Sequence, residues 1–223
     1  MIRIHRFKTT FINVPKTGST SIREFLIDNV VSAEDTVTCH KLMIQNVDAG
    51  LHSHYTQSDA IKNNLSSSDD TFYAVVREPL ERMLSLYLYR WKQGKIKTPS
   101  IADFRLQLYK GKGWIQDRKP YQMQLQSEFM DNGTWWCYDT LDFHIKELIQ
   151  KYAIEVKVPF GNHNQSSLVP THKLVDHFYD EATKNLVRNA QQPDFELYEK
   201  VKNEYQKISN LYTGAVSEKT SSS

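Results

Sequence analysis

The chain alternates between short apolar runs and longer segments in which apolar residues recur at helical spacing. Continuous runs of β-branched and aromatic residues, such as Thr71–Val76, are typical of strands buried within a parallel sheet. We predict strands at 11–14, 36–39, 71–76 and 153–158, and helices at 19–31, 57–64, 80–91, 101–109, 140–152, 171–189 and 194–211. Because such strands and helices alternate, the pattern predicts an α/β fold of three layers, with a central parallel sheet and helices on both faces.

Length and composition indicate one ordinary globular domain. The chain has 223 residues, of which 39% are hydrophobic and 24% are charged, enough to build a substantial core. We assign residues 1–213 to a single domain and residues 214–223, which end in three serines, to a disordered tail. We find no apolar stretch long enough for a membrane span and no signal-peptide pattern, so we expect a soluble, cytoplasmic chain.

The charge distribution favours an anionic ligand but not a nucleic acid. The net charge is only +2, which argues against general binding of nucleic acid. Between residues 77 and 119, however, eleven Lys or Arg residues face only four Asp or Glu residues. Cys39 and Cys137 are isolated in the sequence, so they predict neither a disulfide framework nor a zinc site.

A loop after the first predicted strand carries the clearest chemical signal. The apolar run ends at Pro15, a loop of small residues follows, and an amphipathic helix then begins. Such a strand–loop–helix turn directs backbone N–H groups and a helix N-terminus at one point, so we expect a P-loop-like anion site. Its candidate ligands are Lys16, Thr17, Gly18, Ser19, Thr20 and Ser21. The lysine precedes the glycine, unlike the Walker pattern of ATP-binding loops, and a simple N-capped helix is the alternative interpretation.

A second candidate anion site follows the strand at 71–76. Arg77 comes directly after this strand, Pro79 begins the next helix, and Ser85 lies about two helical turns further on. Open α/β sheets bind ligands at the carboxyl ends of their strands, where Arg77 is expected. An arginine and a serine hydroxyl suit a phosphate monoester. Arg82 is a helical neighbour of Ser85 and is either a further ligand or a structural ion-pair partner.

The two motifs resemble those of sulfotransferases that use 3′-phosphoadenosine 5′-phosphosulfate (PAPS). Residues 15–20 match the Pro-Lys-Thr-Gly-(Gly/Ser)-Thr loop of the carbohydrate branch, which includes the Golgi-type and uronyl 2-O enzymes, and residues 77–85 match its Arg-(Asp/Glu/Asn)-Pro-x-x-Arg-x-x-Ser element. The resemblance implies that the loop binds the 5′-phosphosulfate and that Arg77 and Ser85 bind the 3′-phosphate. It also implies PAPS as co-substrate, no metal, and a hydroxyl-bearing acceptor, expected to be a saccharide that can itself be anionic.

The same resemblance points to a histidine as the catalytic base. Uronyl 2-O-sulfotransferases carry a His-x-His at this point in the chain order, and His52-Ser53-His54 is similar to it. We predict that His54 is the base and that His52 assists it or contacts the substrate, while a solvated polar loop is the alternative. An ordinary histidine pKa near 6.5 suits this task. Many related enzymes use a glutamate instead, for which Glu24 is the candidate here.

One further loop extends the predicted nucleotide site, and two alternative functions remain open. A polar loop after the predicted strand at 153–158 resembles the Asn-x-Ser loop of many carbohydrate-type members, which implies that Asn164 and Ser166 contact the nucleotide. A non-catalytic module that binds PAPS or adenosine 3′,5′-bisphosphate would retain Lys16, Arg77 and Ser85 without needing His54. A nucleotide or small-molecule kinase is a further alternative, but it requires a Walker-type loop and Mg²⁺ ligands, which we do not find in the sequence.

Overall fold

The structure is a computed structural model that describes residues 1–30, 37–39, 54–110, 124–161 and 169–220, with the backbone alone for 37–39, 110 and 208–220. Its strands are β1 (Ile2–Ile4), β2 (Thr9–Phe11), β3 (Val37–Cys39), β4 (Thr71–Val76) and β5 (Thr134–Cys137). The helices are α1 (Ser19–Asn29), α2 (Gln57–Lys62), α3 (Pro79–Lys92), α4 (Ile101–Lys110), α5 (Leu141–Lys151), α6 (Val175–Phe178), α7 (Glu181–Ala190) and α8 (Gln192–Thr220). Short 3-10 helices lie at His5–Phe7, Gln126–Glu128, Tyr138–Thr140 and Thr171–Lys173.

The strands form one mixed sheet in the order β3-β1-β2-β4-β5. Strands β2, β4 and β5 are parallel, whereas β1 is antiparallel to both β2 and β3. The α/β fold class is therefore confirmed, and its parallel part comprises the three strands that lead into the motifs. The antiparallel edge was not predicted because β1 has only three residues and joins β2 through a single 3-10 turn.

Helices cover both faces of the sheet, as the sequence predicts. Tyr73 and Val75 of β4 pack into a core cluster with apolar residues of α1 and α5. Val76, whose side chain points to the opposite face, packs with Tyr198 and Val201 of α8. The alternating side chains of β4 thus join two helical layers, and its buried position explains the continuous apolar run in its sequence.

The prediction of a strand at 153–158 is wrong. This segment has no regular secondary structure, and its backbone is held by a side chain of α1. Asn29 Oδ1 accepts hydrogen bonds from the backbone N–H of Lys157 at 2.6 Å and of Val158 at 2.8 Å. The sheet position beside β4 belongs instead to β5, whose four residues gave no alternating pattern in the sequence.

The last part of the chain also differs from the sequence prediction. The single helix expected at 171–189 is divided into a 3-10 turn, α6 and α7, because Asp180 begins a new helix by accepting a hydrogen bond from the Thr183 N–H at 2.8 Å. Helix α8 continues through 214–220, which the sequence analysis assigns to a disordered tail, while 221–223 lie outside the described residues. The assignment of 1–213 to one domain stays a prediction. Among the described residues, no helix combines the length and apolar character needed to cross a membrane.

Candidate functional site

A cavity of about 840 Å³ opens at the carboxyl ends of β2, β4 and β5. The segments that leave these three strands form its walls, together with α3, α8 and the 3-10 turn at Thr171–Lys173. This is the edge at which parallel sheets bind ligands. The predicted site residues that line it are Lys16, Gly18, Ser19, Thr20, Ser21, His54, Arg77 and Ser85. The two sequence motifs therefore meet in one place.

The loop between β2 and α1 is held in shape by its own side chains. Thr17 is fully buried, and its hydroxyl donates to the carbonyl of Val14 at 2.9 Å. The Ser19 hydroxyl donates to the same carbonyl at 3.2 Å. These hydroxyls brace the turn, so the Thr17 side chain supports the loop and does not line the cavity.

Two residues of this loop have left-handed backbone conformations. Lys16 has φ = 67° and Gly18, directly before α1, has φ = 83°. A Cβ on Gly18 would lie 3.0 Å from Cε2 of Tyr138, so glycine is required by both the conformation and the close approach. Alternating backbone handedness makes successive N–H groups converge, which creates an anion-binding concavity at the start of a helix.

Lys16 is the cationic residue of this loop, and it lines the cavity. Its Nζ lies 4.0 Å from the centroid of the Tyr89 ring, which belongs to α3. Burial, and to a lesser extent the nearby charges of Arg77 and Lys92, lowers the pKa of Lys16 to about 8. The ammonium group is thus weakly solvated but mostly charged at neutral pH, a state in which it interacts strongly with an anion.

Arg77 also lines the cavity, and its guanidinium group has several partners. Its Nε and Nη2 donate to Glu81 Oε2 at 3.3 and 3.1 Å, and Nη2 also donates to Thr171 Oγ1. Its Nη1 donates to the carbonyl oxygen of Lys16 at 3.2 Å, and the guanidinium carbon lies 4.2 Å above the Tyr138 ring. Arg77 therefore joins the two motifs directly.

Ser85 and Arg82 occupy different positions, although they are neighbours on α3. Ser85 is buried and lines the cavity. Arg82 is 1% exposed and donates from Nε to the carbonyl of Pro15 at 3.1 Å, from Nη2 to the carbonyl of Gln124 at 2.9 Å, and from Nη1 to Asp194 Oδ2 at 3.5 Å. Of the two roles left open for Arg82, the structure supports that of a structural ion-pair partner.

His54 lines the same cavity as Lys16 and Arg77. Its Nδ1 lies 2.8 Å from the carbonyl oxygen of Asn13, two residues before the loop begins at Pro15. A carbonyl oxygen can only accept a hydrogen bond, so Nδ1 carries the proton and the lone pair of the neutral ring is on Nε2. This tautomer is the one that a general base acting through Nε2 requires.

Four further candidates are His52, Asn164, Ser166 and Glu24. His52, Asn164 and Ser166 lie outside the described residues, so their roles stay predictions. Glu24 forms an ion pair with Arg23 at 3.3 Å and is not among the described residues that line the cavity. The histidine rather than the glutamate is therefore the candidate base that the structure places in the cavity.

The model of the sulfotransferase family matches residues 1–206. The chain belongs to this family. Neither the curated proteins nor the solved structures contained a match. The family assignment agrees with the resemblance of the two motifs. The matched residues 1–206 include both motifs and the other described residues that line the cavity.

This sulfotransferase carries site residues that the sequence analysis missed. Glu81 follows Arg77 by four positions, a spacing that could have suggested the ion pair. Glu78 also lines the cavity, and burial raises the pKa of its carboxyl group to about 7. Tyr138 and Thr171 contact Arg77 from distant parts of the chain, and no local pattern marks them.

Removing the carboxylate of Asp194 should destabilise the sulfotransferase strongly. Asp194 is fully buried, and Asp194→Ala would leave the buried Arg82 charge without its ion-pair partner. The expected loss in the free energy of unfolding is about 3–5 kcal/mol, measured by urea unfolding. As a control, Asp176→Ala removes an exposed ion pair with Lys184 and should barely change stability. Equal losses in the two variants would contradict the structural role of the buried pair.

Proposed function

We propose that this sulfotransferase transfers the sulfuryl group of PAPS to a hydroxyl group of a carbohydrate acceptor. The observation that carries the proposal is the hydrogen bond of 3.2 Å between Arg77 Nη1 and the carbonyl oxygen of Lys16. It holds the two cationic motifs on one cavity, as a nucleotide with phosphate groups at two separated positions requires. PAPS is such a nucleotide, because it carries a 5′-phosphosulfate and a 3′-phosphate.

The described residues fit this donor. The cavity of about 840 Å³ is of the size that encloses a small molecule such as a nucleotide. The loop before α1 would hold the 5′-phosphosulfate through its backbone N–H groups, Lys16 and the hydroxyl groups of Thr20 and Ser21. Ser19 would contribute its backbone N–H, because its hydroxyl donates to the Val14 carbonyl. Arg77 and Ser85 would hold the 3′-phosphate.

Sulfuryl transfer requires few catalytic groups from the protein. The acceptor oxygen forms a bond to sulfur while the bond from sulfur to the bridging oxygen breaks, and adenosine 3′,5′-bisphosphate leaves. His54 would remove the hydroxyl proton through Nε2, and Lys16 would neutralise charge on the equatorial and leaving oxygens. We expect no metal, since the lysine supplies the cationic stabilisation that a metal ion would otherwise provide.

Support for a carbohydrate acceptor comes from the branch that the motifs resemble. Support for an anionic acceptor comes from the end of α3, where Lys92 lies close enough to Lys16 to influence its pKa. An anionic saccharide that approached along this end of the helix would meet these positive charges before reaching the donor.

Nucleotide binding and transfer together test the proposal. Isothermal titration should show that the protein binds adenosine 3′,5′-bisphosphate more tightly than it binds either AMP or ATP. Incubation with labelled PAPS and a panel of neutral and sulfated or carboxylated glycans should then label at least one acceptor. Preference for ATP would contradict the assignment of the donor, and tight bisphosphate binding without any transfer would favour a non-catalytic module.

His54→Asn should reduce transfer without weakening donor binding. Asparagine can keep a hydrogen bond to the Asn13 carbonyl but cannot accept the acceptor proton. We expect kcat to fall by about 10²–10⁴-fold. The Kd for adenosine 3′,5′-bisphosphate should stay within about twofold, because the base does not hold the nucleotide. Glu24→Gln is the control, and a larger kcat loss there than in His54→Asn would assign the base to the glutamate.

Binding of adenosine 3′,5′-bisphosphate should weaken as the pH rises from 7 to 9, a range above the second pKa of about 6 of its own phosphate groups. Deprotonation of Glu78 near pH 7 adds a negative charge to the cavity, and deprotonation of Lys16 near pH 8 removes a positive one. Both changes disfavour a bound anion. In Glu78→Gln the part of this decline near pH 7 should disappear. In Lys16→Arg the part near pH 8 should disappear. Titration calorimetry across this pH range measures the effect, and identical slopes in all three proteins would contradict it.

A further inference from the structure

Gln126 binds the backbone of Arg77 through both ends of its side-chain amide. Its Oε1 accepts a hydrogen bond from the Arg77 N–H at 3.0 Å, and its Nε2 donates to the Arg77 carbonyl at 2.9 Å. The side chain is 0% exposed. A backbone N–H only donates and a carbonyl only accepts, so these two partners fix the orientation of the amide.

This contact takes the place of a missing strand neighbour. The pairing of β4 with β5 ends at Val76 and Cys137, one residue before Arg77. Glu78, the next residue after Arg77, already caps α3 by accepting from the Glu81 N–H at 2.7 Å. Arg77 therefore lies in a connection of two residues between a strand and a helix, and Gln126 satisfies both of its backbone polar groups there.

The backbone of Gln126 is itself anchored independently of its side chain. Its N–H donates to Asp194 Oδ2 at 2.8 Å, and the N–H of Ser127 donates to Asp194 Oδ1 at 3.0 Å. The carbonyl of Gln124 accepts from Arg82 Nη2 at 2.9 Å. These bonds do not involve the Gln126 side chain, so they should survive its replacement.

We propose that Gln126 is a positioning residue for Arg77 and thereby sets the affinity of the site for the 3′-phosphate. This inference rests on the proposed function, in which Arg77 binds that phosphate. The amide fixes where the Arg77 backbone leaves β4, and hence where its guanidinium meets the ligand. Loss of the amide should weaken the contact with the 3′-phosphate and spare the loop around Lys16, which is held by the bonds from Thr17 and Ser19 to Val14.

The test compares two nucleotides that differ only in the 3′-phosphate. Gln126→Met keeps most of the side-chain volume but removes both hydrogen bonds. Its affinity for adenosine 3′,5′-bisphosphate should fall about tenfold by isothermal titration, while its affinity for AMP stays within about twofold. If Gln126→Met does not fold, Gln126→Asn provides the same comparison, because its amide is one methylene too short to reach both groups.

Gln57 offers a matched control. It is also buried, at 8% exposure, and its Oε1 accepts from the backbone N–H of Asp131 at 3.0 Å and of Asn132 at 2.9 Å. It is not among the described residues that line the cavity. Gln57→Met therefore removes two comparable bonds at another place, and the ratio of its affinities for the two nucleotides should equal that of the wild type.

The outcomes separate this inference from the proposed function. If the wild type binds AMP as tightly as the bisphosphate, the proposed function fails and the inference fails with it. If the wild type prefers the bisphosphate and Gln126→Met keeps the same ratio, only the inference is overturned. A loss of affinity for both nucleotides to the same extent would make Gln126 a merely structural residue and would also overturn it.

Discussion

The site depends on the buried ion pair between Arg82 and Asp194. Arg82 also donates to the carbonyl of Pro15, while Asp194 accepts from the backbone N–H groups of Gln126 and Ser127. Two charges out of water are costly unless their remaining polar groups are satisfied, and here each is bonded to backbone on its other side. One pair thus holds together the loop that bears Lys16, the segment that supports Arg77, and helix α8, although these lie far apart in the sequence.

The cavity balances its positive charges with carboxyl groups. Glu81 shares the Arg77 guanidinium with Thr171, and Glu78 lies beside them with its pKa raised to about 7 by burial. Without these groups, Lys16 and Arg77 would repel each other across a poorly solvated space. In the proposed complex, an anion bound to Arg77 would compete with Glu81 for part of the guanidinium. Its affinity would then reflect the difference between two charge-assisted contacts and not the strength of one.

The sequence predicts the parts of this fold whose causes are local. The continuous apolar run of β4 and the loop around Lys16 place both motifs at the same sheet edge, and the structure has them there. Short strands such as β5 carry too few residues to reveal a period. Gln126 owes its role to partners that only the folded chain brings near, and nothing in its own neighbourhood distinguishes it from an ordinary polar residue.

The proposed base and the anion loop are positioned by one stretch of backbone. The Ile12 N–H donates to the carbonyl of Tyr73 at 2.8 Å, which extends the contact of β2 with β4 beyond the end of the strand. The carbonyl of the next residue, Asn13, orients His54. The carbonyl of Val14, which follows, accepts the hydrogen bonds of the Thr17 and Ser19 hydroxyls that brace the loop. Because these carbonyls are consecutive, one short stretch of backbone positions both His54 and the loop that bears Lys16. A displacement of β2 would therefore move the proposed base and the anion loop together.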